Sequence, residues 1–168
     1  MEATRLCPYC LQPLPGAAQS CPHCGKSFAG RNPGGTLPVG TVLAGRYTVG
    51  EMLSIDGEGI LYRGAENLGR FRVTIKEYLP SEFATRMADE QEIMLLDGEK
   101  QLSQYQKGLD RFLQEGKRLA QVGDISGIVH MYNCFQANGT AYITMEFLDG
   151  RTLEEYLAEK GRLTEQET

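Results

Sequence analysis

Apolar and polar residues alternate in five short runs along the chain, and turns rich in glycine or asparagine separate them. The first two runs flank the turn SIDGE, and the last two are joined by Ala137-Asn138-Gly139. Asn-Gly between two such runs is a strong hairpin signal, and alternation with period two is typical of half-buried strands. The pattern therefore predicts five antiparallel strands, at residues 46–53, 59–65, 71–79, 130–136 and 140–147.

Helical spacing replaces the alternation between the third and fourth predicted strands. Gly108 indicates a start or a break, so the firm part of this helix is predicted at 109–121. A second, short helix is predicted in TLEEYLAEK, where Thr152 can cap the N-terminus and Glu155 can complete a capping box. The apolar residues of the long helix are Leu102, Tyr105, Leu109, Phe112, Leu113, Leu119 and Ala120.

Four of the five cysteines form two C-x-x-C turns, Cys7 and Cys10 in CPYC and Cys21 and Cys24 in CPHC. Each turn can place two thiolates on one ion, and four sulfurs around one centre suit Zn(II). Disulfides, a redox C-x-x-C pair and an iron site are the alternatives, and a reducing cytoplasm disfavours the first. We predict a structural zinc ribbon over residues 1–28.

A segment of this length cannot bury a core of its own, so metal binding would supply its fold. Four sulfur ligands leave no open position, and a catalytic role for the ion is not expected. His23, inside the second turn, is expected to be exposed or close behind the ligands, and Cys134 to be a small core residue. Residues 29–41, rich in glycine and proline, are predicted to be a linker.

The net charge of −5 is unevenly distributed, because residues 1–40 carry +2 and the remainder carries −7. An acidic main body argues against nucleic acid as a partner, since phosphate binding needs clustered Lys and Arg. The sequence has no apolar run near the roughly 18 residues of a membrane helix and no signal-peptide core. A cytoplasmic protein is expected, and a membrane span in a longer parent protein stays open.

From about Tyr47 onward, the chain resembles the N-terminal lobe of a bacterial eukaryotic-like Ser/Thr protein kinase. The resemblance rests on the glycine-loop region, VTIK followed by EYLP, the helical FLQEGKRLA and the phrase ISGIVHMYNCFQANGTAYITMEFLDGRTLEEYL. It implies an α+β fold, in which a zinc ribbon precedes a five-stranded antiparallel sheet with one αC-like helix. Residues 42–168 would form this lobe, with the hinge and the start of a C-lobe that is otherwise absent.

The resemblance also implies a catalytic ion pair. Lys76 in VTIK takes the place of the strand lysine that bridges the nucleotide α- and β-phosphates, and Glu115 takes the place of its helix partner. A lysine within an apolar strand needs a partner for its charge. The alternative interpretation is that Lys76 extends to solvent at the lobe edge and Glu115 is a solvated helix residue.

By the same resemblance, Met145 is the gatekeeper behind the adenine, and the segment Glu146–Leu148 is the hinge whose backbone would contact the adenine edge. Thr152 falls where a side chain often contacts the ribose, although a helix cap explains it equally well. Met145 and Leu61 are also explained as plain core residues. The predicted nucleotide contacts are Leu53, Ser54, Asp56, Gly57, Gly59, Leu61, Thr74, Lys76, Met145, Glu146, Leu148 and Thr152.

The glycine loop departs from the family pattern G-x-G-x-x-G, because its three positions are Ser54, Asp56 and Gly59. Asp56 and Glu58 would place carboxylates near the phosphates. A unit charge pair at about 6 Å with an effective dielectric constant near 20 interacts by roughly 2.8 kcal/mol. We therefore expect ATP with Mg(II) to bind about tenfold to a hundredfold more weakly than in the family. Thr74, in place of a small alanine, would crowd the adenine further.

Phosphoryl transfer in this family needs an H-R-D-like catalytic loop and a D-F-G metal-binding segment. The sequence contains neither, and its two histidines begin no such motif, so the chain itself is predicted to be inactive. Two functions remain: the N-terminal part of a Ser/Thr kinase whose ribbon is a docking or regulatory module, or a non-catalytic, pseudokinase-like interaction module with structural zinc. A lobe face without its partner lobe predicts self-association.

Overall fold

A six-stranded antiparallel sheet with one long helix packed against it forms the larger part of the molecule. The computed structural model describes residues 5–16, 18–29, 32–88, 90–123 and 125–163. The sheet order is β1-β2-β3-β4-β8-β7, and β5 pairs with β6 in a separate two-stranded sheet. In chain order the elements are β1 Val42–Leu43, β2 Tyr47–Ile55, β3 Gly59–Glu66, β4 Phe71–Tyr78, β5 Ala84–Thr85, β6 Met94–Leu95, α1 Glu99–Gln121, β7 Met131–Ala137, β8 Thr140–Glu146 and α2 Leu153–Lys160.

All five predicted strands are present, each within two residues of its predicted bounds. The predicted number of strands in the sheet was one too low, because the two-residue strand β1 adds to the edge of the sheet beside β2. Strands of two residues carry too few positions for an alternation pattern, so β1, β5 and β6 left no sequence signal. The predicted cap of α2 is confirmed: Thr152 and Glu155 form a capping box.

The prediction that α1 begins near residue 109 is wrong, because the helix is continuous from Glu99 to Gln121. Gly108 lies in its middle, and a Cβ atom there would come within 2.0 Å of the Tyr78 hydroxyl oxygen. The glycine therefore serves close packing of the helix on β4, where the Tyr78 ring stacks at a tilt on Tyr105 and Phe112. Tertiary contact outweighs the local cost of glycine in a helix.

The described part of the predicted linker packs against the sheet instead of lying free in solvent. Leu37 is completely buried in the main core, and its amide donates to the Tyr62 hydroxyl at 3.0 Å. Asn32 joins the segment to β2, since its side-chain oxygen accepts from the Met52 amide at 2.7 Å. This segment covers one face of the sheet and α1 covers the other.

The ribbon has a small core of its own beside the sheet. Two short hairpins are marked by isolated bridges, Leu6 to Pro13 and Ser20 to Ser27. Between them a separate apolar cluster contains two of the cysteines together with Leu14 and Phe28. The Leu6 amide donates to the side-chain oxygen of Asn67 at 3.1 Å, which fastens the ribbon to the end of β3.

Within the described residues, neither helix combines the length and the apolar character that a membrane crossing requires.

Candidate functional site

The four cysteines predicted as metal ligands converge on one point, with all four Sγ atoms within 4.8 Å of one another. The contacts cross between the knuckles: Cys7 lies 3.8 Å from Cys24 and Cys10 lies 3.6 Å from Cys21, measured between Sγ atoms. A zinc–sulfur bond of about 2.3 Å gives a tetrahedral sulfur–sulfur edge of about 3.8 Å. The cluster therefore fits a tetrahedral ion, and His23 is exposed and outside it.

Each knuckle closes in the same way, through an amide that donates back to the carbonyl of the first cysteine. The Leu11 amide bonds to the Cys7 carbonyl and the Gly25 amide bonds to the Cys21 carbonyl, both at 2.9 Å. Both donors have positive φ, 61° at Leu11 and 71° at Gly25. Glycine adopts this conformation without strain, which explains Gly25 directly after the second C-x-x-C.

The thiols of the cluster differ in acidity because burial and backbone hydrogen bonds affect them to different extents. Burial raises the pKa of Cys7 to about 12. Burial also raises the pKa of Cys21, but amide hydrogen bonds from Cys24 and His23 outweigh it and lower the value to about 7. A cluster in which one thiolate suppresses ionisation of the others gains most from a cation that stabilises all four anions.

Lys76 lies on the cleft face of β4, but its partner is not the predicted one. The ammonium nitrogen lies 3.5 Å from the Glu58 carboxylate in the glycine loop and 5.8 Å from the Phe112 ring centroid. Among the described residues, no ion pair joins Lys76 to Glu115. In this structure the described ion pair of Lys76 is the one with Glu58.

Glu115 nevertheless faces the same cleft as Glu58. A cavity of about 370 Å³ separates the tip of the glycine loop from α1. Both basic and acidic side chains line it, so the cleft has no single sign of charge. Its lining residues include Gly57, Glu58, Glu82, Lys107, Arg111, Phe112 and Glu115.

The glycine loop uses its own carboxylate to close the turn between β2 and β3. Oδ1 of Asp56 accepts from the amides of Glu58 and Gly59, both at 2.9 Å. Gly59 is required for packing, because a Cβ atom there would lie 1.9 Å from the Glu77 carbonyl oxygen. The Asp56 carboxylate therefore already bonds two amides at the tip of the loop.

Strand register places several of the predicted adenine contacts together. Leu61 pairs with Lys76 across β3 and β4, and Thr74 pairs with Met145 across β4 and β8. Leu61, Thr74, Met145 and Glu146 are half-buried, whereas Leu53, Ser54 and Leu148 are exposed. The Thr152 hydroxyl accepts from the Glu155 amide at 3.1 Å, so helix capping already uses the predicted ribose contact.

Curated relatives of the chain are bacterial kinases. It is 33% identical over 132 residues to the serine/threonine-protein kinase PknA of Mycobacterium tuberculosis, covering 75% of this chain and 26% of PknA. It is 25% identical over 125 residues to a probable serine/threonine-protein kinase of Clostridium acetobutylicum, covering 74% of this chain and 16% of that protein. The chain is a homologue of the N-terminal region of bacterial Ser/Thr protein kinases.

A solved structure agrees with this result. The apo form of PpkA-294 superposes with a TM-score of 0.68 at 32% identity, over 75% of this chain and 43% of that one. The sheet and α1 thus form a kinase-like N-lobe. No protein-family model matches the chain. Because the chain spans about a quarter or less of the curated relatives' length, it corresponds to a part of them.

Sequence reasoning missed a buried charge network on the opposite face of the kinase-like lobe. Glu77 follows Lys76 in β4, and its carboxylate accepts from Arg86 at 2.5 and 3.0 Å. The hydroxyls of Tyr62 and Tyr142 donate to the same carboxylate at 2.8 and 2.7 Å. Both charged side chains are fully buried. The available signal was Glu77 itself, an acidic residue in an apolar strand, which requires a buried cation.

Proposed function

We propose that this chain is the nucleotide-binding lobe of a bacterial Ser/Thr protein kinase, preceded by a structural zinc ribbon. The observation that carries the proposal is Lys76 on the cleft face of β4, in register with the half-buried wall of Leu61, Thr74 and Met145. Homology with kinase N-terminal regions supports the same assignment.

In this proposal, nucleotide binding exchanges one anion for another. The α- and β-phosphates would displace the Glu58 carboxylate from Lys76, which lies 3.5 Å away in an exposed and weak pair. Glu115, which lines the same cleft, would then approach the lysine from α1. The hinge backbone at Glu146–Leu148 would bind the adenine edge. Mg(II) would accompany the phosphates, and the groups that transfer phosphate would belong to another part of the kinase.

A titration with ATP and Mg(II) tests the nucleotide site, with Lys76→Ala compared with the wild type. We expect the substitution to weaken ATP binding by about tenfold or more, since a phosphate loses its charge-assisted bond. Lys107→Ala is the matched control, because Lys107 is a lysine that lines the cavity beside Glu58. Equal affinities of wild type and Lys76→Ala would overturn the nucleotide site.

The second candidate function is a pseudokinase-like interaction module, which transfers no phosphate and binds protein partners through the ribbon and lobe. It is favoured by the two loop carboxylates, because Glu58 neutralises Lys76 and Asp56 occupies the loop amides. Binding of adenosine without detectable binding of ATP would favour this candidate. Tight binding of both adenosine and ATP would favour the kinase lobe.

Zinc in the four-cysteine cluster is part of the proposal. Purified protein should contain one zinc ion per chain, and Cys21→Ser should reduce this content severely. Because burial raises the pKa of Cys7, ion binding must displace protons, and zinc affinity should fall as the pH is lowered. Metal analysis after dialysis at several pH values measures this. If protein prepared with added zinc contained no metal at neutral pH, this result would contradict the zinc site.

Self-association and a reducing, cytoplasmic location complete the proposal. Leu53, Ile55, Leu148 and Leu153 are all exposed, and exposed apolar side chains that form one patch favour association. We expect association of the purified chain that increases with concentration. Sedimentation of a clean monomer at high concentration would contradict it.

A further inference from the structure

The first knuckle of the ribbon contacts the lobe through Tyr9, the residue before its second cysteine. The Tyr9 hydroxyl donates to the Glu51 carboxylate at 3.4 Å, and its carbonyl accepts from the Arg72 guanidinium at 2.9 Å. Its ring centroid lies 5.8 Å from the guanidinium carbon of Arg63. One residue of the metal knuckle thus contacts three charged residues on strands β2, β3 and β4, two through its side chain and one through its carbonyl.

The same two arginines extend to the predicted hinge. The Arg63 guanidinium carbon lies 4.5 Å from the Phe147 ring centroid, so one cation contacts an aromatic ring of the ribbon and one of the hinge. Glu51 fixes this cation through a 3.2 Å bond. Arg72 makes a weaker contact of 3.9 Å with the Asp149 carboxylate, directly after the hinge. Cation–π contacts of a fixed arginine hold two rings in a defined arrangement.

Close backbone packing supports the contact on the ribbon side. Gly50 in β2 has no side chain, and a Cβ atom there would lie 2.9 Å from the Pro8 Cβ atom. Pro8 is buried and adjoins Cys7. The knuckle therefore lies directly on the strand that precedes the glycine loop, and its position depends on the geometry of the cysteine cluster.

We propose that the metal-loaded ribbon is an intramolecular clamp on the hinge, acting through Tyr9, Arg63 and Phe147. The ion holds the knuckle in place, and the knuckle positions Tyr9. Arg63 contacts both the Tyr9 ring and the Phe147 ring, so the position of the knuckle determines the position of the hinge. The inference rests on the proposed metal site. Because coupling between two sites is reciprocal, anything that orders the hinge should also strengthen metal retention.

Hinge order can be followed with and without metal in the full chain. The chain contains no tryptophan, so Phe147→Trp provides a single indole reporter at the hinge. Metal content is measured first, and amide hydrogen exchange is then compared before and after chelation. We expect chelation to raise exchange of the amides of residues 146–149 by about tenfold or more and to shift the indole emission, while amides of Ala141–Ile143 stay protected.

Two substitutions interrupt the clamp from opposite sides. In Arg63→Met, chelation should leave hinge exchange nearly unchanged although the ribbon still binds metal, and Tyr9→Leu should have the same effect with all cysteines intact. Arg118→Met, an exposed arginine on α1, is the matched control and should retain the full response. The second variant keeps the test decisive if the first does not fold.

Three outcomes overturn the clamp. Hinge exchange that is independent of metal, while ribbon amides lose protection, would show that the two regions are uncoupled. Loss of protection throughout β7 and β8 on chelation would show that the ion stabilises the whole fold, with no specific coupling between the ribbon and the hinge. Absence of bound metal in the first measurement would overturn the zinc site together with the clamp, and it is recognised before any hinge measurement.

Discussion

Lys76 and Glu77 are neighbours in one strand, yet their ion pairs differ in almost every respect. Lys76 pairs with Glu58 at 3.5 Å on the cleft face, and Glu58 is largely exposed. Glu77 pairs with Arg86 at 2.5 Å on the opposite face, where both side chains are fully buried and two tyrosines bond the same carboxylate. The alternation of a strand separates an exchangeable ion pair from a fixed one by a single residue.

The difference in surroundings determines what each pair can do. Burial lowers the pKa of Arg86, but its bonds with Glu77 outweigh burial and raise it, so the pair stays ionised without access to water. Breaking such a pair leaves an isolated buried charge. The lysine pair is solvated and separates at little cost, as the proposed exchange of Glu58 for a phosphate requires.

Breaking the buried pair should have the largest effect on stability. Arg86→Met removes the cation from Glu77 and the bond to the Gln91 carbonyl, and we expect a loss of about 3–5 kcal/mol in the free energy of unfolding. Urea unfolding followed by circular dichroism, with zinc present throughout, measures it. Arg118→Met is the control and should change stability by less than about 0.5 kcal/mol.

Removing both charges sharpens this prediction. The double variant Glu77→Leu/Arg86→Met leaves no isolated charge but removes the acceptor of both tyrosine hydroxyls, so it should recover only part of the stability that Arg86→Met loses. A loss below about 1 kcal/mol in Arg86→Met would mean that Glu77 finds water or becomes protonated at little cost.

A smaller effect is expected when one hydroxyl is removed from the network. Tyr142→Phe deletes the 2.7 Å bond to Glu77 and should cost about 1.5–3 kcal/mol, the range for a hydrogen bond to a charged group. Tyr47→Phe is a close control, because the Tyr47 hydroxyl is buried with no hydrogen-bond partner among the described residues. Its removal should be neutral or stabilising, and equal losses in the two variants would contradict the assignment.

The cleft pair should respond in binding, with little change in stability. Glu58→Gln releases Lys76 and should raise affinity for ATP with Mg(II) by about threefold to tenfold, while adenosine affinity stays the same. Glu82→Gln removes another carboxylate of the same cleft and is the control. Equal gains in both variants would indicate a general charge effect instead of competition for Lys76.

Local features were predicted better than long-range ones. The hairpin at Asn138-Gly139 and the Thr152 capping box depend on neighbouring residues, and both are found as expected. The extent of α1 was underestimated because Gly108 serves a contact with Tyr78, which is distant in sequence. The partner of Lys76 depends on how the loop folds over β4, and a motif does not carry that information.

For the metal cluster, the local part was predicted and the long-range contacts were not. Two C-x-x-C turns predicted the four residues that converge, because each turn fixes two sulfurs locally. Nothing in the spacing indicated that Tyr9 would contact Arg63 and Arg72, since strands far along the chain supply those side chains.

Gly59 is the one glycine that the loop keeps at the three positions of the family pattern, and its role in this structure is packing. A methyl group there would collide with the carbonyl of Glu77, so any larger residue would push the hairpin away from the strand below it. Selection on packing alone would preserve this glycine after nucleotide contact had been lost. Its presence is therefore no measure of ligand binding, and attempts to rebuild a phosphate cradle in this scaffold should concentrate on positions 54 and 56.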